Sequence, residues 1–487
     1  MSLAVALNTA RTSLLTTAKQ VAVSGANVAN ADDPDRTRKI ALATTGADGS
    51  VSLAAITRAT DLPLLYRMLG ANATATSQQA VLDGLERLHE TIGDTAAGTS
   101  PAARVAALAT ALQAQANDPG DRNLARATLT AANELVAVLA NASKTVTEVR
   151  TDADEAMATG VVRLNGLLAE FETANNAIVR GTFAGDDVTD FLDRRDGLLA
   201  KISAEVGVTV VQRDHNDIAL YTDGGVTLFD KIARSVTFEP TPALASGVVG
   251  NALVIDGVPV TGANAAMPLR AGNLAGLATL RDTVAPTYQA QLDELARGLI
   301  ETFAERDLSG GGGPDLAGLF TYPGGPAVPA SATLSPGLAE AIGVNAAVDP
   351  AAGGSLDRFR DGGINGAAYL SNVTGAASFA DRLNEMLGAM ATARGFDAAG
   401  ALQSGVNVVD FATASVSWLE DERQAATHAA DYQGTLLART SEALSNATGI
   451  NIDQEYALQL QLEQSYAAAS KLIAVVNAMF ETLLAAV

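Results

Sequence analysis

Both ends of the chain carry apolar and small residues at alternating steps of four and three. The first series consists of Leu3, Leu7, Ala10, Leu14, Thr17, Val21, Ser24 and Val28. The second consists of Leu462, Tyr466, Ala469, Ile473, Val476, Phe480, Leu483 and Val487. A mean step of about 3.5 residues is the heptad spacing of helices that bury a seam against a partner. Because neither helix can bury its own seam, we expect the two ends to pair as a coiled coil. The alternative is two ordinary amphipathic helices packed on a globular body, and the matching length and phase of the two seams favour the pair.

Helical periodicity also runs through the first part of the interior. Residues 63–92 form one predicted helix, and Pro101 suits the first turn of the next. The breaker Asp118-Pro119-Gly120 then precedes a long helix that starts near Asp121. Together these segments predict a long helical bundle.

The middle of the chain has a different character. Residues 206–230 are rich in Val, Thr and Tyr and contain the turn signal Asp223-Gly224-Gly225, which indicates short antiparallel strands. Helical periodicity returns at residues 286–306 and again at 379–444. Between these two helical stretches, residues 309–367 are rich in Gly and Pro and indicate an irregular excursion.

This order of elements predicts a mainly α fold with an inserted β portion, in which the terminal helices pair outside a helical bundle. We predict four units: a terminal coiled-coil assembly domain (1–60 with 446–487), a helical rod domain (61–205 with 270–308 and 375–445), a β-rich subdomain (206–269), and a Gly/Pro-rich inserted domain or excursion (309–374).

Charge and composition exclude several classes of protein. The 54 Asp and Glu residues outnumber the 32 Lys and Arg residues and give a net charge of −22, which repels nucleic-acid phosphates and anionic membranes. The absence of Cys rules out disulfides and thiolate metal sites. No uninterrupted apolar run of about 18 residues marks a membrane span, and the N-terminal segment lacks the features of a cleavable signal peptide. We therefore expect neither a nucleic-acid nor a membrane partner.

The sequence Asp193-Arg194-Arg195-Asp196 invites a catalytic interpretation, because two carboxylates on one helical face can act as acid and base. The alternative is a solvated helix face with local ion pairs, and this alternative is favoured because no His accompanies the cluster. Likewise, Asp152, Asp154 and Glu155 lack the spacing of a calcium loop and are typical of a charged helix surface. The glycine run that begins at Gly310 lacks the Lys-Ser/Thr pair of a phosphate loop. We predict no enzyme activity, no cofactor and no metal.

Segments at both ends resemble the axial proteins of the bacterial flagellum. The N-terminal segments are residues 7–11 and 24–31, and the closing segment is 451–484. Interior motifs are similar to the flagellar hook-associated protein 1 family: 117–121 with Arg126, 191–196, and 272–277 with Arg281-Asp282. Two regions depart from the family pattern. Residues 33–38 lack its Gly and Tyr, and the Gly-rich segment near 310 lacks its Asn and His.

The resemblance implies a structural subunit at the junction between hook and filament, exported to the extracellular flagellum without a cleaved signal peptide. It also implies four partners: further copies of the chain, hook protein, a second junction protein and an export chaperone on the C-terminal helix. We predict the assembly interface at the heptad positions Leu3, Leu7, Ala10, Leu14, Val21, Val28, Leu462, Tyr466, Ala469, Ile473, Val476, Phe480 and Leu483. The alternatives are another axial protein (a hook or distal-rod subunit), a phage-tail-like or adhesin rod, and an enzyme with an acidic surface.

Overall fold

Long helices form the frame of the molecule, whose computed structural model describes residues 3–93 and 98–485. The helices are α1 (Leu3–Ala29), α2 (Leu62–His89), α3 (Pro101–Asn117), α4 (Arg122–Ala184), α5 (Thr189–Glu205), α6 (Asn273–Thr279), α7 (Ala285–Thr302), α8 (Leu338–Ala341), α9 (Asp357–Asp361), α10 (Asp381–Met390), α11 (Val408–Thr448) and α12 (Ile452–Ala485). The mainly helical fold with paired terminal helices and a β portion is the predicted one, and this prediction is confirmed.

Eleven short strands in the described residues form small antiparallel sheets. They are β1 (Lys39–Thr45), β2 (Val51–Arg58), β3 (Val208–Gln212), β4 (Ile218–Thr222), β5 (Thr227–Asp230), β6 (Ile232–Ala233), β7 (Val236–Thr237), β8 (Val254–Ile255), β9 (Val258–Pro259), β10 (Phe320–Thr321) and β11 (Gly343–Val344). Strands β1 and β2 form a hairpin, β3 to β6 a four-stranded sheet and β7 to β9 a three-stranded sheet, while β10 pairs with β11. The two larger sheets lie within the predicted β-rich stretch 206–269.

Helix α4 is the longest of the described helices, with 63 residues. It belongs to the central body, by which we mean α2 to α11 and the segments between them. The side chain of Asp121 caps its first turn by accepting from the Asn123 N–H at 2.6 Å, and Gly185 ends it with a φ of 77°. The helix continues through Gly160, where an added Cβ would lie 2.8 Å from a methyl carbon of Leu274. The glycine therefore lets α6 approach α4 closely.

The core of the body forms where α4, α8 and α11 pack against α7, while α2 and α3 pack on α4 and α11. Every residue in 288–300 of α7 is buried. This includes Arg297, which is fully buried and pairs with Glu294 at 3.0 Å and Glu301 at 2.6 Å. Apolar burial on this scale is the main driving force for folding, so the body carries its own stability.

Three sequence expectations differ from the structure. The predicted helix over 379–444 is two helices, α10 and α11, separated by residues 391–407. The β1–β2 hairpin was not anticipated, although its alternating pattern and Asp48-Gly49 turn are hairpin signals. Finally, the charged helix surface expected at Asp154 is wrong, because this residue is 2% exposed and forms a buried ion pair with Arg281.

Candidate assembly interface

The terminal helices α1 and α12 pack against each other as an antiparallel pair, which we call the terminal pair. Ser24, near the end of α1, contacts Glu455, near the start of α12, through a hydrogen bond of 2.6 Å. The buried positions of α12 extend from Glu455 to Val476, which is about 30 Å of helix. Helix α1 can cover that length only if it runs in the opposite direction.

Burial along the terminal pair follows a seven-residue spacing. On α1 the buried positions include Ala10, Thr17 and Ser24. On α12 they are Glu455, Leu462, Ala469 and Val476. One position per heptad is thus fully covered within a single chain, whereas a complete coiled-coil seam covers two.

The predicted interface residues fall into three groups by exposure. Ala10, Leu462, Ala469 and Val476 are buried between the two helices. Leu3, Leu7, Leu14, Val21, Val28, Ile473 and Phe480 are partly buried. Tyr466 and Leu483 remain 43% and 55% exposed. The heptad residue Val487 lies outside the described residues.

Sequence reasoning missed a second set of apolar residues, which face solvent on the terminal pair. These are Leu15, Tyr456, Leu460, Leu472, Val475, Met479 and Leu484, each more than half exposed. We call them, with Tyr466 and Leu483, the outer apolar face. Large exposed apolar patches are typical of interaction sites. The signal in the sequence is that apolar residues occur on every side of α12, which is unusual for a helix at a solvent-exposed surface.

The same apolar character satisfies a simple membrane criterion. Among the described helices, the stretch Val408–Ala485 contains a window with a mean hydropathy of 1.4, of which 11% is buried. Length and composition alone therefore allow it to cross a membrane. However, α12 also carries Glu463, Lys471 and Glu481 at exposed positions, and charged groups inside a bilayer are costly.

The other side of α1 packs on the β1–β2 hairpin through polar contacts. The Asn27 side chain donates to the Lys39 carbonyl at 2.9 Å and accepts from the Lys39 N–H at 3.0 Å. Thr16 donates to the Val51 carbonyl at 3.0 Å. These side chains bind backbone groups of both hairpin strands that would otherwise belong to open strand edges.

Ion pairs join the terminal pair and hairpin to the body, and we call this set the ionic joint. Its cations are Arg36, Arg38, Lys39 and Arg58, and its anions are Asp190, Asp193, Asp196 and Glu455. All four cations come from the segment between α1 and α2, while three of the anions lie on α5 and the fourth on α12. The joint therefore holds together parts of the chain that are distant in sequence.

Arg58 is the centre of the ionic joint. Its guanidinium donates to Asp193 at 2.9 Å and to Asp196 at 2.7 Å, and its side chain is 6% exposed. Asp193 also accepts from the Thr37 hydroxyl at 2.6 Å. Burial raises the pKa of Asp196. Hydrogen bonding from Lys39 instead lowers the pKa of the more exposed Asp190.

These contacts correct the expectation of a solvated helix face at residues 193–196. Asp193 and Arg195 are 1% and 6% exposed, and burial lowers the pKa of Arg195 to about 10. The Arg195 guanidinium donates to Asn175 at 2.9 Å and to the Asn216 carbonyl. Asp193 and Arg195 are thus part of a buried structural junction, whereas Arg194 lies on the solvated surface and pairs with Glu170 at 3.3 Å, as expected.

A cleft of about 630 Å³ adjoins the ionic joint. Its lining comes from the segment after α1, residues 58–61 with the start of α2, helix α5, and the end of α11 with the segment that links it to α12. The arginines that line it, Arg36 and Arg58, are engaged in ion pairs with carboxylates, and no histidine lines it. Within residues 3–93 and 98–485, no group of three or more His, Cys, Asp or Glu could hold a metal ion.

The arrangement defines a class of protein: a helical body that presents its two chain ends as one exposed, apolar helix pair. Residues 85–316 match the family model described as the flagellar hook-associated protein FlgK helical domain. This match confirms the resemblance to the flagellar hook-associated protein family over residues 85–316.

No curated protein matches the chain. Among solved structures, the flagellar hook junction protein FlgK from Burkholderia pseudomallei is similar over 53% of this chain, at 21% identity and a TM-score of 0.42. The similarity spans 46% of that protein, so the chain corresponds to less than half of its length.

Proposed function

We propose that this protein is a structural subunit of the bacterial flagellum, located at the junction between hook and filament. The proposal is supported by the FlgK-type helical domain over residues 85–316 and by the terminal pair. In this proposal copies of the chain assemble into a tube, and its partners are hook protein and a second junction protein. The protein acts by binding and spacing its neighbours and has no enzymatic role.

The observation that supports assembly most directly is the solvent exposure of the outer apolar face. Residues such as Leu460, Leu472 and Val475 are 61%, 58% and 57% exposed although α1 already covers the other side of α12. Packing against further copies removes this surface from water. In this proposal each copy packs its outer apolar face on a different surface of the next copy, and such heterologous contacts generate rings or helical tubes.

Export is the other part of the proposal. Before assembly the outer apolar face is an aggregation hazard, and an export chaperone bound to α12 would cover it. The chain would then pass unfolded through a type III channel without cleavage of a signal peptide. Lipid is a less suitable cover, because Lys471 and Glu481 are exposed on the same helix.

The proposal is tested by deleting residues 455–487. We expect the central body to stay folded, since its core does not involve α12, and we expect assembly onto hooks to be lost. Electron microscopy of cells that carry the deletion should show hooks without filaments, with flagellin shed into the medium. A truncated protein that still joins hook to filament would contradict the proposal.

A finer version of the test changes single side chains. Leu472→Gln removes one exposed apolar group of α12, and Val162→Gln is the matched control, because Val162 is 74% exposed on the body helix α4. We expect the first substitution to weaken assembly and the second to leave it unchanged. If the protein is instead a hook or distal-rod subunit, imaging will locate it in those segments.

A further inference from the structure

One carboxylate interrupts the otherwise apolar or small-residue seam of α12. The Glu455 side chain is fully buried, whereas the other buried positions of the helix are Leu462, Ala469 and Val476. An unpaired charge in such a place is strongly destabilising. The buried Glu455 carboxylate therefore requires hydrogen-bond partners for both of its oxygens.

Two residues supply those partners, and with Glu455 they form what we call the clasp. The Ser24 hydroxyl donates to one carboxylate oxygen at 2.6 Å, and Arg38 Nε donates to the other at 2.7 Å. The backbone of Arg38 is itself fixed, because its N–H donates to the Thr448 carbonyl at 2.9 Å and its carbonyl accepts from the Ala59 N–H at 2.8 Å. The clasp thus joins α1, the hairpin segment, α11 and α12 at one point.

The apolar part of the seam does not fix how far α12 is displaced along α1. Its buried residues recur every seven positions on both helices and are small on α1, as at Ala10 and Thr17. A displacement of one heptad, about 10 Å, therefore places similar residues opposite each other. Besides the short link of residues 449–451 between α11 and α12, the clasp distinguishes the native offset, because the displaced helix would bring Leu462 to Arg38 and leave the carboxylate unpaired.

We propose that Glu455, held by Ser24 and Arg38, is the register-determining residue of the terminal pair. It selects one offset of α12 along α1, as a buried polar residue does in coiled coils. The offset decides which side chains the outer apolar face presents. The clasp itself stands on the observed contacts, and its consequence for assembly rests on the proposed function.

The test uses cysteine pairs as reporters of register, because the chain contains no other cysteine. Ala10 and Ala469 each lie two heptads from the Ser24–Glu455 contact, so a pair of cysteines at these positions reports the native register. Cysteines at Ala10 and Val476 report a displacement of one heptad. Both pairs are placed in the full chain, and disulfide formation is measured on the isolated protein at low concentration.

In the wild-type background we expect the native disulfide to form. The yield of the displaced disulfide should be lower by roughly tenfold or more, because buried charge-assisted hydrogen bonds stabilise the native register. In the double variant Arg38→Leu with Glu455→Leu, apolar packing replaces the ion pair, and we expect both disulfides in comparable yield. Glu463→Leu is the matched control, because it removes an exposed carboxylate of α12, and it should keep the wild-type preference.

A double variant that still forms only the native disulfide would overturn the proposal, as would a wild-type chain that forms neither. If the double variant fails to pair its helices, Glu455→Gln decides, because it keeps the size of the side chain and removes the charge. An unchanged ratio of displaced to native disulfide in that variant would also overturn it. Since the measurement needs no assembly, it can fail while the hook-junction proposal stands, and the reverse also holds.

Discussion

The terminal pair and the helical body bury their side chains to very different extents. In the body, every residue in 288–300 of α7 is buried, including charged ones. In the terminal pair, α12 buries four residues of the 34 in the helix. This difference shows that the body buries its core within a single chain, whereas the terminal pair exposes more apolar surface than one chain covers. Such incompleteness is expected of a surface that finishes folding against a neighbour.

The largest expected effect comes from matched Phe→Ala substitutions in the two regions. Phe171 of α4 is fully buried and packs edge to face on Phe229 at 5.1 Å, whereas Phe480 of α12 is partly buried. We expect Phe171→Ala to lower the free energy of unfolding of the body by about 3–5 kcal/mol. Phe480→Ala should leave the unfolding of the body unchanged, because α12 opens locally.

Chemical denaturation followed by circular dichroism measures the first effect, and hydrogen exchange in α12 measures the second. Equal losses of stability in the two variants would contradict the expected local opening of α12, because the terminal pair would then unfold together with the body.

An intermediate effect is expected where the two regions meet. Arg58→Leu leaves the buried Asp193 without its cation, and removal of one partner from a buried pair costs about 3 kcal/mol or more. The matched control is Arg87→Leu, since Arg87 pairs with Asp152 at 2.6 Å but both side chains are about half exposed. That pair should contribute less than about 1 kcal/mol.

Thermal unfolding of the two arginine variants separates these expectations. We also expect increased hydrogen exchange in the β1–β2 hairpin of Arg58→Leu, because the hairpin loses its attachment to α5. Equal melting temperatures for both variants would mean that the ionic joint does not hold the two regions together.

The smallest effect concerns acid stability at Asp190. Hydrogen bonding from Lys39 lowers the pKa of Asp190, so its stabilising contribution is present above the ordinary carboxyl pKa. That contribution is lost as the pH falls through the lowered value. Asp190→Asn should therefore reduce stability slightly at neutral pH and have no effect in strong acid. Unfolding measured across this pH range would contradict the expectation if the variant and the wild type differed equally at all values.

The main features of the site were predictable from the sequence to different degrees. The heptad spacing of Leu462, Ala469 and Val476 predicted which face of α12 is covered, because helical periodicity is a local property. The exposure of Leu472 and Val475 was not predicted, since a seam analysis counts only the residues that fit it. The burial of Asp193 was missed for another reason: its partner Arg58 lies 135 positions away in the sequence.

The sequence by itself determined that both ends are helices with seams, that the body is helical around a β portion, and that the chain resembles one flagellar family. These properties follow from local periodicity, capping and motifs, which short segments carry on their own. Only the tertiary structure decided that the terminal helices run antiparallel, that the hairpin covers α1, and that Glu455 meets Arg38. Those outcomes depend on contacts between distant segments, and a repeating seam is compatible with several of them until buried charges select one.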